Sequence, residues 1–344
     1  MTMACPSPHH DDETLLLGHG AGGRLTAELL DDVVLPALGA PQGGVLEDAA
    51  LLPGEGELVV STDGFVVDPL FFPGGDIGSL AVHGTVNDLA MRGALPIALA
   101  LAVIAEEGLP LAELRAALQS AGKAARDIGV PVITGDTKVV GRGAADRLFL
   151  TTTGVGRRVP GLEPSAARAR PGDRILLSGP IGLHGTAVLS TREGFGFDTA
   201  IASDTRPLHR LVRALEPFGP DVHVLRDPTR GGVAAVLNEI ARDARVGVEI
   251  EESALPVPTE VGAACDLLGL DPLAVANEGC FVAFVAGGRE GAALKALRDL
   301  PEGRHATLIG EAVTSSPGRV SLRTLVGSRR IVDLPLGEQL PRIC

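Results

Sequence analysis

Aromatic residues are scarce in this sequence: tryptophan and tyrosine are absent, and aromatic residues make up 3% of the chain. Proteins that bind single-stranded nucleic acid stack its bases on such side chains. Acidic residues (43) also outnumber basic residues (30), which gives a formal net charge of −13. A surface of this sign repels a polyanion. The composition therefore predicts that the protein does not bind nucleic acid.

Long apolar runs are missing as well. The longest continuous run covers residues 97–105, far short of the roughly 20 residues that a membrane-crossing helix needs. The first residues, MTMACPSPHHDDE, lack the basic segment and apolar stretch of a secretion signal. We therefore expect no membrane association. We also expect residues 1–14 to form a disordered extension in which His9 and His10 face solvent.

Cysteine is rare, and its spacing indicates neither disulfides nor a metal site. The four cysteines are Cys5, Cys265, Cys280 and Cys344, and no two of them form a CxxC pair. Proteins without a disulfide framework are typical of a reducing compartment. We expect a cytoplasmic protein.

Glycine, in contrast, is abundant, with 45 of 344 residues, and hydrophobic residues make up 45% of the chain. Glycine allows tight turns and a close approach of the backbone to phosphates. Strand-like segments alternate with helix-like segments, which predicts the α/β class with mixed sheets. We expect two domains, at residues 15–158 and 171–326, joined by a proline- and arginine-containing connector at 157–172.

The pattern predicts an acidic turn at Asp63 between two strands, and it predicts Asp136 just after a strand end. The first-domain elements expected are strands at 58–61, 64–67, 97–105, 130–134 and 147–155, and helices at 24–35, 76–91 and 111–128. The second-domain elements expected are strands at 174–178, 222–225, 246–251, 280–286, 306–313 and 320–325, and helices at 185–191, 207–217, 231–242 and 289–300.

The last segment, residues 327–344, reads GSRRIVDLPLGEQLPRIC. Two glycines and two prolines exclude a long helix, and the extended segment would reach roughly 60 Å. We expect a mobile tail that carries Cys344. The chance of a cysteine in the last position is 4 in 344, and a thiol on a flexible arm is an exposed nucleophile as its thiolate. The position favours a functional Cys344 over a stray terminal cysteine.

A glycine cluster, GHGAGG at residues 18–23, precedes the helix expected at 24–35. A glycine loop before a helix presents backbone N–H groups to an anion. Gly20, Gly22 and Gly23 are therefore candidates for phosphate binding. The cluster is not a Walker A loop, because no Lys-Ser/Thr pair follows it. An ordinary glycine turn is the alternative.

Acidic motifs recur four times in the first domain. They contain Asp48 (LEDAA), Asp63 (STDGF), Asn87 with Asp88 (TVNDLA) and Asp136 (TGDTK). Carboxylates that converge in space repel one another unless a cation neutralises them. Oxygen ligands of this kind hold Mg²⁺ together with nucleotide phosphates. We expect these residues to bind Mg²⁺ and ATP, although each carboxylate taken alone fits a solvated surface group.

Lys138 is one of only three lysines among the 30 basic residues. A compact ammonium can meet a phosphoryl group or a developing oxyanion as a point charge, which arginine does less well. The pattern favours a catalytic Lys138. The alternative is an ion pair with Asp136, two residues earlier.

Two motifs of the second domain also carry candidates. RDPTRGG at 226–232 contains Asp227 and opens the helix expected at 231–242, which is a suitable place for an anion. Asn277 and Glu278 directly precede an apolar strand. A partly buried carboxylate there has a raised pKa and can serve as a general base. A capped turn is the alternative for this motif, and Cys280 is expected to be a small core residue.

Together these motifs resemble the ATP-binding superfamily of aminoimidazole ribonucleotide synthetase, selenophosphate synthetase and thiamine monophosphate kinase. The resemblance covers nearly the whole chain and is closest to the HypE family of carbamoyl dehydratases, which the terminal PRIC distinguishes from the rest. The motifs that carry it are GHGAGG at 18–23, STDGFVVDPLFFPGGDIG at 61–78, VNDLAMRGA at 86–94, ITGDTKVV at 133–140, RDPTRGG at 226–232, NEG at 277–279 and the terminal PRIC.

The resemblance implies a fold, a reaction and partners. It implies a homodimer in which two N-terminal sheets form a β-barrel. A carbamoyltransferase of the HypF type would load a carbamoyl group onto Cys344, and ATP would drive its dehydration to a thiocyanate. The cyanide would then pass to iron on a HypC–HypD scaffold.

The resemblance also implies roles for single residues. Lys138 would stabilise charge on the transferring phosphoryl group or the amide oxygen. Glu278, supported by Asn277, would take the amide protons. The cofactors would be ATP and Mg²⁺, with the metal on Asp48, Asp63, Asp88 and Asp136, and Asn87 beside them.

Two other functions are compatible with parts of the sequence, and each can be distinguished from carbamoyl dehydration by particular residues. The nearer is an ATP-dependent superfamily member that acts on a free small molecule, such as a selenophosphate synthetase or a kinase; its activity would survive deletion of residues 341–344. The other is a non-catalytic scaffold that only presents Cys344 to partners. Asp136, Lys138 and Glu278 argue against a scaffold, because they carry the chemistry of a catalyst.

Overall fold

The computed structural model describes residues 24–29, 31–32, 47, 49–52, 57–192, 201–334 and 342–344. The expectations for residues 1–14, for Gly20, Gly22 and Gly23, and for Asp48 lie outside these residues. The helices are α1 Arg24–Leu29, α2 Ile77–Met91, α3 Leu111–Asp127, α4 Leu183–Arg192, α5 His209–Ala214, α6 Gly232–Ala244, α7 Thr259–Leu268 and α8 Glu290–Arg298. The strands are β1 Ala50–Leu52, β2 Leu58–Phe65, β3 Phe71–Phe72, β4 Gly75–Asp76, β5 Ala94–Glu106, β6 Val132–Val140, β7 Leu148–Arg158, β8 Arg174–Leu177, β9 Val222–Arg226, β10 Gly247–Glu251, β11 Val282–Val285, β12 Thr307–Val313, β13 Val320–Arg323 and β14 Arg329–Val332.

The first sheet has the strand order β1-β2-β7-β5-β6 in the described part of the chain, and only the β5–β6 pair is parallel. Helices α2 and α3 pack together and bury apolar side chains with the sheet strands. Helix α2 begins at a capping box, in which the Asp76 side chain accepts hydrogen bonds from the N–H groups of Gly78 and Ser79. This cap satisfies N–H groups that have no partner within the helix.

The second sheet follows the order β14-β13-β10-β12-β8-β11-β9 and is also mixed, because β10 and β13 are parallel while its other neighbours are antiparallel. The amphipathic helix α6 covers this sheet with residues that include Val233, Leu237 and Ile240. The expected α/β class with mixed sheets is confirmed.

One apolar cluster contains residues from both halves of the chain. Ala90 and Met91, at the end of α2, lie in one buried cluster with Leu208 and Leu211 of the second half of the chain. Nearby, Arg92 Nη1 donates a hydrogen bond to the main-chain oxygen of Pro164 at 2.7 Å. The carboxyl-terminal end of α2 is therefore packed between the two halves, which fixes the position of Asn87 and Asp88 on the same helix.

The expected turn at Asp63 is wrong. β2 runs unbroken through Asp63 and Gly64, because all eight of its residues pair with β7. The strand expected to end before Asp136 is also longer than expected, since β6 continues to Val140 and pairs with β5 throughout. In both cases the hydrogen bonds of a neighbouring strand override a local preference for a turn.

The tail expected at 327–344 begins with a fold element. Residues Arg329–Val332 form β14, which pairs with β13 through a turn at Gly327, whose φ is +81°. Glycine adopts this left-handed conformation without steric strain. The expectation of a mobile tail therefore does not hold for this part, whereas residues 335–341 lie outside the described residues.

Most other element predictions are confirmed to within a few residues, including α2, α3, β5 and β7. Helix α7, Thr259–Leu268, was not expected from the sequence. Within the described residues, no helix has both the length and the apolar character that crossing a membrane requires.

Candidate active site

A cavity of about 300 Å³ lies in the cleft between the two halves of the chain. The first half of the chain contributes residues of β2 and α2. The second half contributes the segment after β9, the loop before β11 and the last residue, Cys344. The residues that line it are Thr62, Asp63, Gly64, Phe65, Gly84, Asp88, Arg226, Asp227, Thr229, Arg230, Val236, Glu239, Glu278 and Cys344. Five residues predicted from the sequence thus meet here: Asp63, Asp88, Asp227, Glu278 and Cys344.

Glu278 is a buried carboxyl group in this cavity, with 3% of its surface exposed. Burial raises its pKa well above the ordinary value, and the charges of Asp227, Asp204 and Asp63 raise it further, while Arg230 opposes them. A carboxylate whose surroundings raise its pKa binds a proton more tightly than a solvated carboxylate does, which makes it a stronger base. The site therefore favours Glu278 as a general base.

The loop that carries Glu278 is held by a half-buried carboxylate, Asp204. It accepts hydrogen bonds from Glu278 N at 3.1 Å and from Gly279 N at 2.9 Å. A Cβ atom at Gly279 would overlap the main-chain oxygen of Asp204. Arg206 Nε donates to Gly279 O at 2.7 Å from the other side. Position 279 therefore requires glycine, and Glu278 has a defined orientation.

Asn277 and Asn87 support the site and do not line the cavity. Asn277 Oδ1 accepts from Gly182 N at 2.6 Å, and its Nδ2 donates to Pro228 O and Val275 O, each at 2.9 Å. Asn87 Oδ1 accepts from Leu208 N at 2.8 Å, and its Nδ2 donates to Arg206 O and Glu278 O at 3.1 and 3.4 Å. These amide groups join main-chain segments, whereas the sequence suggested contact with the reacting groups or the nucleotide.

Asp63 and Asp88 form a hydrogen-bonded carboxyl pair. Two carboxyl groups can share a hydrogen bond only if one of them holds a proton. Burial accordingly raises the pKa of Asp63, although Arg230 and the bond to Asp88 lower it. Ser61 Oγ donates to Asp88 Oδ2 at 2.5 Å. The pair is a place where a cation could replace a proton.

Cys344 lies beside Arg230. Arg230 Nε donates to Cys344 Sγ at 3.2 Å, and the main-chain oxygen of Cys344 accepts from Val66 N at 3.1 Å. Burial raises the pKa of the Cys344 thiol to about 11; the positive charge of Arg230 lowers the pKa, while Glu278 raises it. The thiol is therefore protonated at neutral pH, and its hydrogen-bonding partner is a fixed cation.

Asp136 and Lys138 lie elsewhere in the chain. Both belong to β6, the last strand of the first sheet, with side-chain exposures of 61% and 65%. Lys138 Nζ lies 2.5 Å from Asp136 Oδ2. Neither residue lines the cavity. Within one chain the structure shows the ion pair that the sequence left open as the alternative.

Sequence reasoning missed two residues of the site. Arg230 lies inside the RDPTRGG motif and was the only cation there followed by glycines, so the motif contained the signal. Asp204 lies in a segment without a motif, and its contact with Glu278 spans 74 positions. No local pattern could have identified it.

The described residues contain no group of three or more histidine, cysteine, aspartate or glutamate side chains arranged to hold a metal ion. Of the four predicted metal ligands, Asp63 and Asp88 meet, Asp136 lies on β6, and Asp48 is outside the described residues. Their joint role in metal binding stays a prediction.

Comparisons with known proteins identify the family. The N-terminal domain model of AIR synthase related proteins matches residues 46–158, and the C-terminal domain model matches residues 170–323. The chain is 52% identical over 330 residues to the carbamoyl dehydratase HypE of Cupriavidus necator, which covers 95% of this chain and 94% of that protein.

Solved structures agree with these matches. A HypE–HypF complex contains a chain 46% identical to this one with a TM-score of 0.86, over 89% of this chain and 99% of that one. A HypE structure in complex with ATP is 48% identical with a TM-score of 0.81, over 96% of this chain and all of that one. This chain therefore belongs to the HypE family of AIR synthase related proteins.

Proposed function

We propose that this protein uses ATP to dehydrate a carbamoyl group carried on its own Cys344, converting the thiocarboxamide to a thiocyanate. The observation that carries the proposal is the contact of Cys344 Sγ with Arg230 inside a cavity that also contains Glu278. The curated HypE relatives named carbamoyl dehydratase support the reaction type. The sulfur lies where a carbamoyl group attached to it would extend into the cavity.

The residues of the cavity supply the steps that the dehydration needs. The amide must lose its oxygen and both nitrogen-bound protons while the C–S bond stays intact. Glu278, a buried carboxyl group whose pKa is raised above its ordinary value, accepts one amide proton, and the departing oxygen carries the second proton away. Arg230 orients the sulfur-bound group and stabilises negative charge on the departing oxygen.

We place ATP and Mg²⁺ at the wall of the cavity that Asp63 and Asp88 form. Asp63 and Asp88 interact with each other at this wall, and Mg²⁺ commonly binds one or two carboxylates together with phosphates. When bound, ATP supplies the phosphoryl group that turns the amide oxygen into a leaving group. The solved HypE structure in complex with ATP supports the use of ATP. Gly20, Gly22, Gly23 and Asp48 remain proposed contributors from outside the described residues.

The exposed strand β6 supports a homodimer. It is a sheet edge whose residues are exposed except for the last, and its Ile133 and Val139 are 69% and 71% exposed. A long apolar edge is prone to pair with another chain. We propose that two first sheets join along β6 into a barrel, and that Lys138 of one protomer reaches the cleft of its partner.

The proposed cycle needs two further partners. A HypF-type carbamoyltransferase loads Cys344, which the solved HypE–HypF complex supports. A HypC–HypD iron scaffold then receives the cyanide. The described cysteines are all free, and a reactive thiol persists in a reducing compartment. We place the reaction in the cytoplasm for this reason.

Mass spectrometry tests the proposal directly. The protein carbamoylated on Cys344 is incubated with ATP and Mg²⁺, and we expect its C-terminal peptide to lose one water. Cys344→Ala should yield no cyanide while ATP binding stays nearly intact, and Cys5→Ala serves as the matched thiol control. A carbamoylated peptide of unchanged mass after incubation with ATP would contradict the proposal.

A further inference from the structure

The last three residues are bonded on two sides. From the first half of the chain, Val66 N donates to Cys344 O at 3.1 Å and Asp68 N donates to Arg342 O at 3.2 Å. From α4 in the second half, His184 Nε2 bonds to Ile343 O at 2.8 Å and Arg192 Nη2 donates to Arg342 O at 2.8 Å. The main-chain oxygen of each of these three residues therefore has a partner.

His184 is held in one orientation. It is fully buried, its ring packs edge-on against Phe72 with centroids 5.4 Å apart, and Nδ1 lies 2.7 Å from Ser203 Oγ. Ser203 Oγ accepts from Thr205 N, so its own proton can point to Nδ1. Burial lowers the pKa of His184 to about 4. The ring is neutral, and its remaining proton on Nε2 is donated to Ile343 O.

Arg192 connects the tail to the first half of the chain. Its Nε and Nη2 donate to Asp68 O at 3.0 and 2.6 Å, while Nη2 also donates to Arg342 O. One planar guanidinium thus holds two separate main-chain segments in register.

The tail itself adopts a conformation that needs support. Arg342 has a φ of +53°, in a region that non-glycine residues occupy at some energetic cost. Its Nε donates to Val66 O at 3.0 Å, and its Nη1 pairs with Asp146. Ile343 is buried, with 4% exposure. A strained bend of this kind persists only where the surrounding bonds determine it.

We propose that His184 and Arg192 form a tail clamp: two positioning residues that grip the main chain of residues 342 and 343 and so set Cys344 Sγ beside Arg230. This inference rests on the proposed function for the use of the sulfur, but the clamp is defined by its own contacts. It bonds to main-chain oxygens and touches no sulfur atom. Whenever the tail lies in the cleft, the clamp can therefore hold it in the free, carbamoylated or dehydrated form.

Alkylation of Cys344 by iodoacetamide, followed by mass spectrometry of the C-terminal peptide, measures the clamp without any enzymatic turnover. Removing one buried hydrogen bond with His184→Ala should raise the alkylation rate roughly five- to tenfold. His184→Gln restores an N–H donor and should recover most of the protection. His223→Gln is the matched control, because His223 is a buried histidine paired with Asp173 at 2.8 Å and forms none of the hydrogen bonds to residues 342–344 described above; its rate should equal that of the wild type.

Arg192 is half-buried, so Arg192→Ala and Arg192→Lys provide a second test in case His184→Ala does not fold. We expect faster alkylation in Arg192→Ala, with a slower dehydration rate of the carbamoylated protein and an unchanged affinity for ATP. An unchanged alkylation rate in a folded variant of either residue overturns the clamp. If alkylation rises as expected but the wild-type carbamoylated protein loses no water with ATP, the clamp stands and the proposed function fails.

Discussion

The interdomain cleft and the edge strand β6 both carry acidic motifs, yet the structure gives them opposite environments. In the cleft, Glu278 and Asp63 are largely withdrawn from water, and burial raises the pKa of both. On β6, Asp136 is exposed, and its hydrogen bond with Lys138 lowers its pKa. Burial disfavours the charged form of a carboxylate and so makes it a stronger proton acceptor. Exposure leaves the same group a solvated anion with a nearby cation.

The difference indicates how the two regions divide the work. The cleft brings together Cys344, Glu278 and Arg230 of a single chain. β6 contains Lys138 and Asp136, which pair with each other outside the cavity, on a strand whose Ile133 and Val139 are also exposed. Lys138 and Asp136 on β6 would join a cleft only if another protomer packed against this strand. The predictions that follow test this division.

The largest effect is expected in the cleft. Glu278→Gln keeps the shape of the side chain but removes the base, so dehydration should slow by about 10²-fold or more. Single-turnover assays on carbamoylated protein measure this rate. Glu302→Gln, which alters a half-buried carboxylate paired with Arg210 and outside the cavity lining, is the matched control and should turn over normally. Normal turnover in Glu278→Gln would exclude the base role.

Lys138→Ala should slow dehydration by about 10²-fold, because a cation that meets developing charge is lost. Lys123→Ala is the matched control, since Lys123 forms a comparable exposed pair with Asp127 at 2.5 Å. Mixing Lys138→Ala with Glu278→Gln protomers distinguishes the two possible locations of the lysine. If Lys138 acts across a dimer, random mixed dimers recover on the order of a quarter of the activity. Absence of recovery would place its action within one chain or nowhere.

Arg230→Ala should reduce dehydration by about tenfold or more, because it removes a donor and a positive charge beside the sulfur. The pKa of Cys344 should rise further, since Arg230 lowers it in the native site. The pH dependence of Cys344 alkylation measures this shift. Arg210→Ala, on the exposed surface, should leave the profile unchanged. A fall in the Cys344 pKa in Arg230→Ala would contradict the assigned contact.

Glu278 should also carry a stability penalty that depends on pH. Its pKa in the folded state is raised above the ordinary value of 4.5, so the folded protein binds the proton more tightly than the unfolded chain. The free energy of unfolding therefore falls as pH rises from about 4.5 through the raised pKa. Glutamine does not ionise, so the stability of Glu278→Gln relative to the wild type should increase over this range. Urea unfolding at several pH values measures it, and a difference that is constant with pH would refute it.

The smallest effect is expected from Asp136→Asn on thermal stability. Asp136→Asn removes an exposed ion pair, and such pairs contribute little to stability. The melting temperature should change by no more than about one degree, as thermal unfolding followed by circular dichroism would show. A large fall would mean that this pair is buried in the protein as it exists in solution, which would support a protomer interface there.

The sequence predicted the α/β class, most helices and strands, and the identity of five residues that line the cavity. It could do so because hydrophobic period, capping residues and glycine placement act over a few neighbouring positions. Its errors have a common cause. Asp63 and Asp136 were placed at turns or strand ends because their neighbours favour turns, whereas pairing with β7 and β5 keeps both strands extended.

Only the tertiary structure decided which of the candidates share one environment. The Arg230–Cys344 contact spans 114 positions, and the bond from His184 to the tail spans 159, so both depend on how two sheets and a terminal segment pack. The shifts in pKa follow from that packing, because desolvation is a property of the surrounding layers and not of a motif. The amino-acid sequence thus determined which chemical groups are available. Tertiary packing determined which of these groups lie close together and how far each is shielded from solvent.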